Sequence, residues 1–374
     1  MRADYVVVGA GVHGASAAWH LARRQREVLV IEAATVASGA SGGLGERGVR
    51  ANGRDPRELP MLPRAYEWWD ELAGLIGGST GYRRLGQLEL IEREEDMAPA
   101  MERVELQRRH GIPTELLDRA ALRRLEPEVS GAIAAATYCP LDGVADHTAT
   151  TIALAGAARR EGAELLEHTK VTGLRARGGA VVSVRTGGGD EVVVGRGVVI
   201  ACNTATADLL APLGVHVPTF SVLPQVLVTE PIEPPPVHHL IGHAHRPLAI
   251  KALPDRRLMI TGGRLGAWNE RDQRGMVDAA QVAANLADAV AVFACLAGAL
   301  LSESVADRAE SVSPDMVPIV DRVPGVSNAF VATGWSGHGW AIAPVVGELL
   351  ADWVVTGQRP ALLAPFALDR FASS

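Results

Sequence analysis

The chain has 374 residues, of which 48% are hydrophobic and 21% charged, so it is long enough for about two or three domains and is neither disordered nor a disulfide scaffold. The 43 acidic residues outnumber the 36 basic ones, the net charge is −7, and 4% of residues are aromatic, which makes nucleic-acid binding a poor fit. Three well-separated cysteines without a C-x-x-C pair, and an N-terminus without a secretory leader pattern, predict a cytoplasmic protein with no zinc site.

The first predicted element is a valine-rich strand at Asp4–Gly9, which runs into a glycine turn and an alanine-rich helix. In such a turn the first glycine permits the tight bend, the second lets the backbone approach a pyrophosphate, and the third lets the helix lie close to the strand. The next predicted strand ends in an acid eighteen positions after the last of these glycines, where it would bind a ribose diol. The predicted dinucleotide contacts are Gly9, Gly11, Val12, His13, Gly14, Glu32 and Ala33.

A second run of small residues, Ala37–Leu44, follows this acid. Small residues suit a backbone laid against a long, permanently bound cofactor, because their N–H groups remain accessible to phosphates. The alternative is a flexible glycine loop. The predicted contacts in this run are Ser38, Gly39, Ala40, Ser41, Gly43 and Leu44.

A second glycine-rich turn is predicted near the C-terminus. A strand at Ala329–Thr333 leads through this turn into a helix from about Ala341 to Thr356. A helix N-terminus directed at a bound cofactor would stabilise negative charge on that cofactor. With the first fingerprint present, the turn predicts further cofactor contacts at Gly334, Ser336, Gly337, His338, Gly339 and Trp340.

These features resemble the D-amino-acid oxidase superfamily of FAD-dependent oxidoreductases, and within it the glycine oxidase and sarcosine oxidase group, over essentially the whole chain. The resemblance is carried by the N-terminal fingerprint, the small-residue run, Ser313-Pro314-Asp315 and the Gly-x-Ser-Gly-His-Gly turn. It implies an α/β fold (α+β overall), with a Rossmann-like FAD-binding domain interleaved with an antiparallel-sheet substrate-binding domain, of D-amino-acid oxidase or glutathione-reductase-2 type. The FAD-binding domain would comprise residues 1–51, 141–218 and 309–374, and the substrate-binding domain residues 52–140 and 219–308. An adenine contact is implied at Val171.

The resemblance also implies candidate catalytic residues. Arg47 and Arg50 match an arginine pair of sarcosine oxidases, one near the flavin ring and one at the substrate carboxylate; the alternative is two solvated loop arginines. Lys251 stands where relatives often have a substrate-facing tyrosine. A lysine on a strand is usually a surface charge, but the apolar neighbours Ile250 and Ala252 favour a position facing a pocket. His338 would contact the flavin edge or support the substrate, or else cap the helix. Arg308 stands near the position of the cysteine that binds flavin covalently in monomeric sarcosine oxidases. No cysteine is present there, so we expect non-covalent FAD.

Two departures from the family pattern bear on the substrate and the acceptor. Glu310 stands where glycine and D-amino-acid oxidases usually have a carboxylate-binding arginine, so the clamp is rebuilt from other cations or the substrate differs. Met259 or a neighbour stands near the oxygen-activating lysine of sarcosine oxidases, so rapid reaction with oxygen does not follow from the resemblance.

Two segments invite other interpretations. Histidines 238, 239, 243 and 245 lack neighbouring cysteines and acids in the sequence, which favours a polar loop over a metal site. Residues 275–301 are apolar, but the spacing of Asp278, Gln281, Asn285 and Asp288 predicts an amphipathic helix with a solvated polar face instead of a membrane span.

We expect an FAD-dependent amine or amino-acid oxidase acting on glycine or an N-alkyl or N-carboxymethyl glycine. Hydride transfer to flavin would give an imine, which hydrolyses to an amine and glyoxylate, and reoxidation by oxygen would give H2O2. The alternatives are a D-amino-acid, proline or hydroxyproline dehydrogenase with a non-oxygen acceptor, and a non-catalytic flavoprotein subunit. The expected partners are this small substrate and an electron acceptor, with no nucleic acid or membrane span; an oligomer stays open.

Overall fold

The structure is a computed structural model that describes residues 1–24, 26–43 and 45–372; the predicted contact Leu44 lies outside the described residues. The helices are α1 (Val12–Ala22), α2 (Leu62–Leu75), α3 (Met97–Arg109), α4 (Arg119–Leu125), α5 (His147–Arg160), α6 (Thr206–Leu210), α7 (Ala279–Val292) and α8 (Gly339–Thr356). The strands are β1 (Arg2–Val8), β2 (Val28–Ile31), β3 (Glu46–Val49), β4 (Arg83–Arg84), β5 (Gln87–Ile91), β6 (Glu115–Asp118), β7 (Ala135–Cys139), β8 (Gly143–Asp146), β9 (Glu164–Leu166), β10 (Val171–Arg177), β11 (Ala180–Thr186), β12 (Glu191–Ile200), β13 (Phe220–Val222), β14 (Val226–Thr229), β15 (Leu240–His243), β16 (Ala249–Ala252), β17 (Leu258–Thr261), β18 (Ala267–Asn269), β19 (Arg274–Met276), β20 (Leu301–Val305), β21 (Glu310–Val312), β22 (Ile319–Arg322) and β23 (Ala329–Thr333).

The first large sheet has a parallel centre in the order β9-β2-β1-β12-β23. β10 and β11 extend one end of β12 in antiparallel pairing, and β22 pairs antiparallel with β23. Side chains of β1 alternate between two cores, with Val7 on one face and Val6 and Val8 on the other. A strand buried on both faces has to be apolar throughout, which explains the continuous valine run.

The helices α1, α5 and α8 cover one face of this sheet. α1 and α8 lie so close that a Cβ on Gly347 would stand 2.1 Å from the Ser16 hydroxyl oxygen. Among the described helices, α8 has the length and composition to cross a bilayer, but 61% of it is buried and it packs against α1 and α2. These contacts are those of a core helix in a folded domain.

The second large sheet has the order β20-β14-β17-β16-β15-β5-β7-β6, and its neighbouring strands are antiparallel except for β15 and β5. Its strands come from two separate parts of the chain, residues 87–139 and 226–305. α4 and α7 contribute to the core on one of its faces. Lys251 and Met259 alternate with residues of this core and lie on the opposite face.

The polar positions of α7 face the protein, so the predicted solvated face is wrong. Asn285 is fully buried, and its amide donates to the carbonyl oxygens of Thr261 at 3.2 Å and Pro247 at 3.4 Å. Asp288 accepts from Arg264 at 2.5 Å. The helix lies over strand ends whose free carbonyls and arginines require polar partners.

The helix α2 belongs to the segment predicted for the substrate domain, yet its buried side chains lie in the core shared with α1 and α8. Leu62, Ala65 and Trp69 are all buried there, and Trp69 donates from its indole nitrogen to the Ala341 carbonyl at 2.7 Å. We therefore propose that the substrate domain begins after α2 and not at residue 52. The other domain boundaries remain predictions.

Candidate functional site

A cavity of about 1140 Å³ separates the strand ends of the first sheet from the second sheet. Most of the predicted site residues line it: Gly9, Gly11, Val12, His13, Glu32, Ala33, Gly39, Ala40, Ser41, Arg47, Arg50, Val171, Lys251, Arg308, Ser336, Gly337, His338, Gly339 and Trp340. Of the predicted contacts that the structure describes, Gly14, Ser38, Gly43 and Gly334 are not part of its wall.

The three glycines of the N-terminal turn have different surroundings. A Cβ on Gly14 would stand 1.9 Å from the Gly9 carbonyl oxygen, so this glycine allows close packing and does not face the cavity. A Cβ on Gly11 would meet nothing within 4 Å, which marks open space at the start of α1. The helix has no side-chain cap. Val12 and His13 line the cavity, so the first N–H groups of the helix lie at the cavity wall without a capping side chain, as in sites that bind phosphate.

The carboxylate of Glu32 is held beside this turn. One oxygen accepts from the Ala10 N–H at 2.7 Å, and the other accepts from the Ala34 N–H at 2.9 Å. Because backbone donors fix both oxygens, the side chain keeps one orientation at the end of β2. That position suits a ribose diol.

Arg47 supports the small-residue run. Its guanidinium donates to the carbonyl oxygens of Gly42 and Gly43, each at 2.6 Å, and of Ser41 at 3.1 Å. Burial and the neighbouring charge of Arg308 lower its pKa to about 10. Arg47 therefore orders the loop with most of its donors.

Residues 42–43 and 45–50, here called the crossing segment, lie across the cavity face of the second sheet. A Cβ on Gly42 would stand 3.5 Å from a Val226 methyl group, and one on Gly48 would stand 3.0 Å from a Leu240 methyl group. The segment contains β3 and ends at Arg50. It thus links the small-residue run to the wall formed by β14 and β15.

Lys251 lies on β16, is 6% exposed and lines the cavity, as expected for a lysine that faces a pocket and not for a surface charge. Burial, together with Arg47 and Arg50, lowers the pKa of its ammonium to about 7. The negative charge of Glu46 opposes this lowering, but Glu46 is already paired with Arg83 at 2.8 Å. In the described residues its nitrogen has no ion-pair partner, so an anion entering the cavity would find a buried, unmatched cation.

Arg50 lies near several titratable groups at this end of the cavity. Burial is the main cause of the lowered pKa values of Lys251 and His338, and the charge of Arg50 lowers both further. At Glu89, burial raises the carboxyl pKa and Arg50 opposes the rise. Arg50 itself donates to the Asn52 carbonyl. These groups form one polar region of the cavity wall.

The two glycine-rich turns contact each other. The rings of His13 and Trp335 are stacked, with centroids 3.3 Å apart and an angle of 3° between the planes. A Cβ on Gly339 would stand 2.7 Å from both rings. Burial lowers the pKa of His13 to about 3, so its imidazole is neutral. Only a glycine at 339 leaves room for this contact.

His338 precedes α8 and faces a buried ion pair. Its Nδ1 lies 3.6 Å from Glu58 Oε2, and Glu58 Oε1 lies 3.0 Å from the Arg54 guanidinium. Glu58 and Arg54 are 0% and 2% exposed. Burial raises the pKa of Glu58, but the charge of Arg54 and the facing imidazole of His338 lower it below the usual value. The carboxylate is therefore ionised.

The resemblance implies an arginine at the position of Glu310 and a cysteine near the position of Arg308. Glu310 accepts from the Ser41 hydroxyl at 2.5 Å, and burial raises the pKa of its carboxyl. Arg308 lines the cavity, and its Nη1 atom is enclosed without a hydrogen-bond partner among the described residues. Through its hydrogen bond to Glu310, Ser41 joins the small-residue run to β21.

A family profile described as "DAO: FAD dependent oxidoreductase" matches residues 4–353. The chain belongs to this DAO family of FAD-dependent oxidoreductases. Sarcosine oxidase subunit beta from an Arthrobacter species is 26% identical over 377 residues, covering 98% of this chain and 91% of that protein. Glycine oxidase from Geobacillus kaustophilus superposes with a TM-score of 0.86 at 27% identity, covering 99% of each chain. L-proline dehydrogenase from P. horikoshii superposes with a TM-score of 0.89 at 25% identity, covering 99% of this chain and 98% of that one. The predicted family and fold class are confirmed.

The site fits FAD, the cofactor of the DAO family. The open space at Gly11 and the uncapped helix suit the pyrophosphate, and the fixed Glu32 carboxylate suits the ribose. These residues would hold the nucleotide half. Ser41 and the turn before α8 lie further along the same cavity wall.

Glu58 and Arg54 of this DAO-family chain were not predicted from the sequence. The local signal was the spacing of four between an arginine and a glutamate, but such pairs are common on exposed helices. Between them, Arg57 pairs with Asp315 of the Ser-Pro-Asp motif at 2.7 Å. Residues 54–58 therefore contact both C-terminal motifs.

The histidine group has acidic neighbours in space that do not lie near it in the sequence. The Nδ1 atoms of His238 and His239 lie 3.2 and 2.7 Å from the buried Glu126. This acid follows α4, more than a hundred residues earlier in the chain, and the sequence distance concealed it.

Glu92, His243 and His245 place ligand atoms within 4.8 Å of one another. However, Arg246 donates to both oxygens of Glu92 at 2.9 and 3.0 Å. His243 Nδ1 accepts the N–H groups of residues 245 and 246 at 3.4 and 3.3 Å, which leaves the proton of the neutral ring on Nε2. A metal ion would need that nitrogen unprotonated, so the arrangement does not fit a cation.

Proposed function

We propose that this DAO-family protein oxidises the C–N bond of glycine or an N-substituted glycine. The observation that carries the proposal is Lys251, a buried lysine without an ion-pair partner among the described residues, in the cavity wall. An unpaired buried ammonium is costly unless a ligand supplies the negative charge. An α-carboxylate is the charge common to amino-acid substrates.

In this mechanism Lys251 and Arg50 bind the carboxylate and fix the orientation of the α-carbon, while Arg47 orders the loop beside them. FAD, when bound, supplies the hydride acceptor. The substrate loses a hydride from carbon and a proton from nitrogen, which leaves an imine. Water hydrolyses the imine to an amine and glyoxylate, and oxygen taking up the two electrons gives H2O2. The protein contributes mainly orientation and electrostatics.

The relatives support this class of substrate. The names of two of them point to sarcosine and glycine as the substrates of those proteins. Because Glu310 replaces the family's carboxylate-binding arginine, the clamp would be rebuilt around Lys251, which lies on β16 of the second large sheet.

The test is anaerobic reduction of the purified, FAD-loaded protein. We expect N-methylglycine or N-carboxymethylglycine to bleach the flavin and release glyoxylate, and Lys251→Met to raise the substrate concentration needed. Reduction by D-amino acids or proline alone would overturn the substrate assignment. Absence of reduction by every amine would favour a non-catalytic flavoprotein subunit.

A dehydrogenase with a non-oxygen acceptor is the second candidate. Met259 pairs directly across from Lys251 and lines the cavity, near the place where the resemblance to sarcosine oxidases implies an oxygen-activating lysine. A thioether supplies no positive charge to stabilise reduced oxygen. Comparing reoxidation by air with reoxidation by a quinone analogue separates the two, since an oxidase reoxidises rapidly in air.

A further inference from the structure

The pair formed by His338 and Glu58 is unusual because both facing atoms lack another partner. His338 Nδ1 and Glu58 Oε2 are enclosed, have no hydrogen bond among the described residues, and lie 3.6 Å apart. A shift of a few tenths of an ångström would close a hydrogen bond between them. The imidazole keeps 21% of its surface exposed and lines the cavity.

Burial and the neighbouring arginines keep the His338 ring neutral, and Glu58 orients it. Burial lowers its pKa, Arg50 and Arg54 lower it further, and Glu58 opposes them. The neighbouring His13 ring is itself neutral, and the N-terminal end of α8 also disfavours a positive charge. With a carboxylate facing Nδ1, the proton of the neutral ring lies on Nδ1 and the lone pair on Nε2.

We propose that His338 accepts the proton of the substrate ammonium through Nε2, and that Glu58 is the positioning residue that fixes this tautomer. The proposal rests on the function proposed above. Hydride departure requires a neutral amine, whereas aliphatic amines are mostly protonated near pH 7.

The proton transfer is balanced without any redox change. The N–H bond of the ammonium breaks, a bond forms from hydrogen to Nε2, and the positive charge moves to the imidazole ring. Glu58 compensates that charge, and its pairing with Arg54 at 3.0 Å keeps Glu58 from taking the proton itself. Solvent water later removes the proton from the ring. Lys251 and Arg50 remain free to hold the carboxylate.

The experiment measures the rate constant of anaerobic flavin reduction at saturating N-methylglycine from pH 6 to 10. The variants are His338→Gln and Glu58→Gln in the holoenzyme. The wild-type rate constant should be nearly independent of pH above 7, because the base is already unprotonated. His338→Gln should lose about 10²–10⁴-fold at pH 7 and recover as pH rises, up to tenfold per unit. Glu58→Gln should show a smaller loss of the same form.

Glu126→Gln is the matched control, because it also removes a buried carboxylate that faces histidines but lies outside the cavity wall. It should leave the rate constant and its pH profile unchanged. The flavin spectrum checks that each variant holds FAD; should His338→Gln lose it, Glu58→Gln decides alone.

The proposal would be overturned if the His338 or Glu58 variant kept the wild-type pH profile, or if its rate constant fell by the same factor at every pH. Lys251 would then be the alternative base. A wild-type flavin that no amine reduces would instead contradict the proposed function.

Discussion

A lysine that titrates near neutral pH ties substrate affinity to pH. Only its ammonium form attracts a carboxylate, and the pKa of Lys251 is about 7 in the free protein. We therefore expect the Kd of an unreactive carboxylate such as N-acetylglycine to rise above pH 7, approaching tenfold per unit, and to change little below it. Flavin absorbance titrations from pH 6 to 9 measure this.

Lys251→Met should remove that pH dependence and weaken binding by about 10–100-fold, the usual value of a hydrogen bond to a charged group. Lys170→Met, which changes an exposed lysine, should retain it. A Kd that stays flat across this range in the wild type would exclude Lys251 as the carboxylate partner.

Two glycines of one turn should respond oppositely to substitution. Gly11→Ala adds a methyl group in open space, so the apoprotein should keep its melting temperature while FAD affinity falls at least tenfold. Gly14→Ala places the methyl group against the Gly9 carbonyl and should cost about 1–3 kcal/mol of stability or more. Thermal unfolding and FAD titration separate the two effects; equal loss of stability would contradict this assignment.

Residues that act within one turn were predictable, whereas partners distant in the chain were not. The glycine spacing and Glu32 follow from local backbone requirements, which any sequence shows directly. Glu58 meets His338 across 280 positions. This contact has no local signature in the sequence.

At the level of elements, the polar contacts of α7 suggest a stability test. Asn285→Leu keeps the side-chain volume but leaves the Pro247 and Thr261 carbonyl oxygens without their donor, so the free energy of unfolding should fall by about 1–3 kcal/mol. Denaturant unfolding measures it. Ala283→Leu on the exposed side should change stability by less than about 0.5 kcal/mol.

Most strands and helices were predictable from periodicity and turn residues. The predicted strand at 329–333 and the helix at about 341–356 match β23 and α8 closely. The orientation of α7 was not predictable, because spacing identifies a polar stripe without saying whether water or strand-end carbonyls satisfy it. The place of α2 was missed for a similar reason, since its apolar face fits either core.

For the whole molecule, the cavity between the two sheets makes stability depend on the cofactor. FAD that binds only the folded chain should stabilise it by about 2.7 kcal/mol at a free concentration one hundred times the Kd. We expect the melting temperature to fall when FAD is removed and to rise steadily as it is added back. A melting temperature that is independent of FAD would show that the cavity does not hold it. Release of the flavin by acid precipitation would confirm non-covalent binding.

The interleaving of the two sheets follows from the family resemblance more than from composition. Length alone suggests consecutive domains, but both sheets take strands from separate parts of the chain. Long-range pairing of this kind has no signal in local propensity.

The crossing segment has a thermodynamic consequence. Its first residues belong to the small-residue run and are held by Arg47, and its last residue is Arg50. Between them, the segment lies against β14 and β15. One short stretch of backbone thus serves both the cofactor and the carboxylate. If occupation of either place orders this stretch, the second ligand binds to an already ordered chain, and linkage makes the effect reciprocal. The factor by which bound FAD raises the affinity for a carboxylate must equal the factor by which a bound carboxylate raises the affinity for FAD.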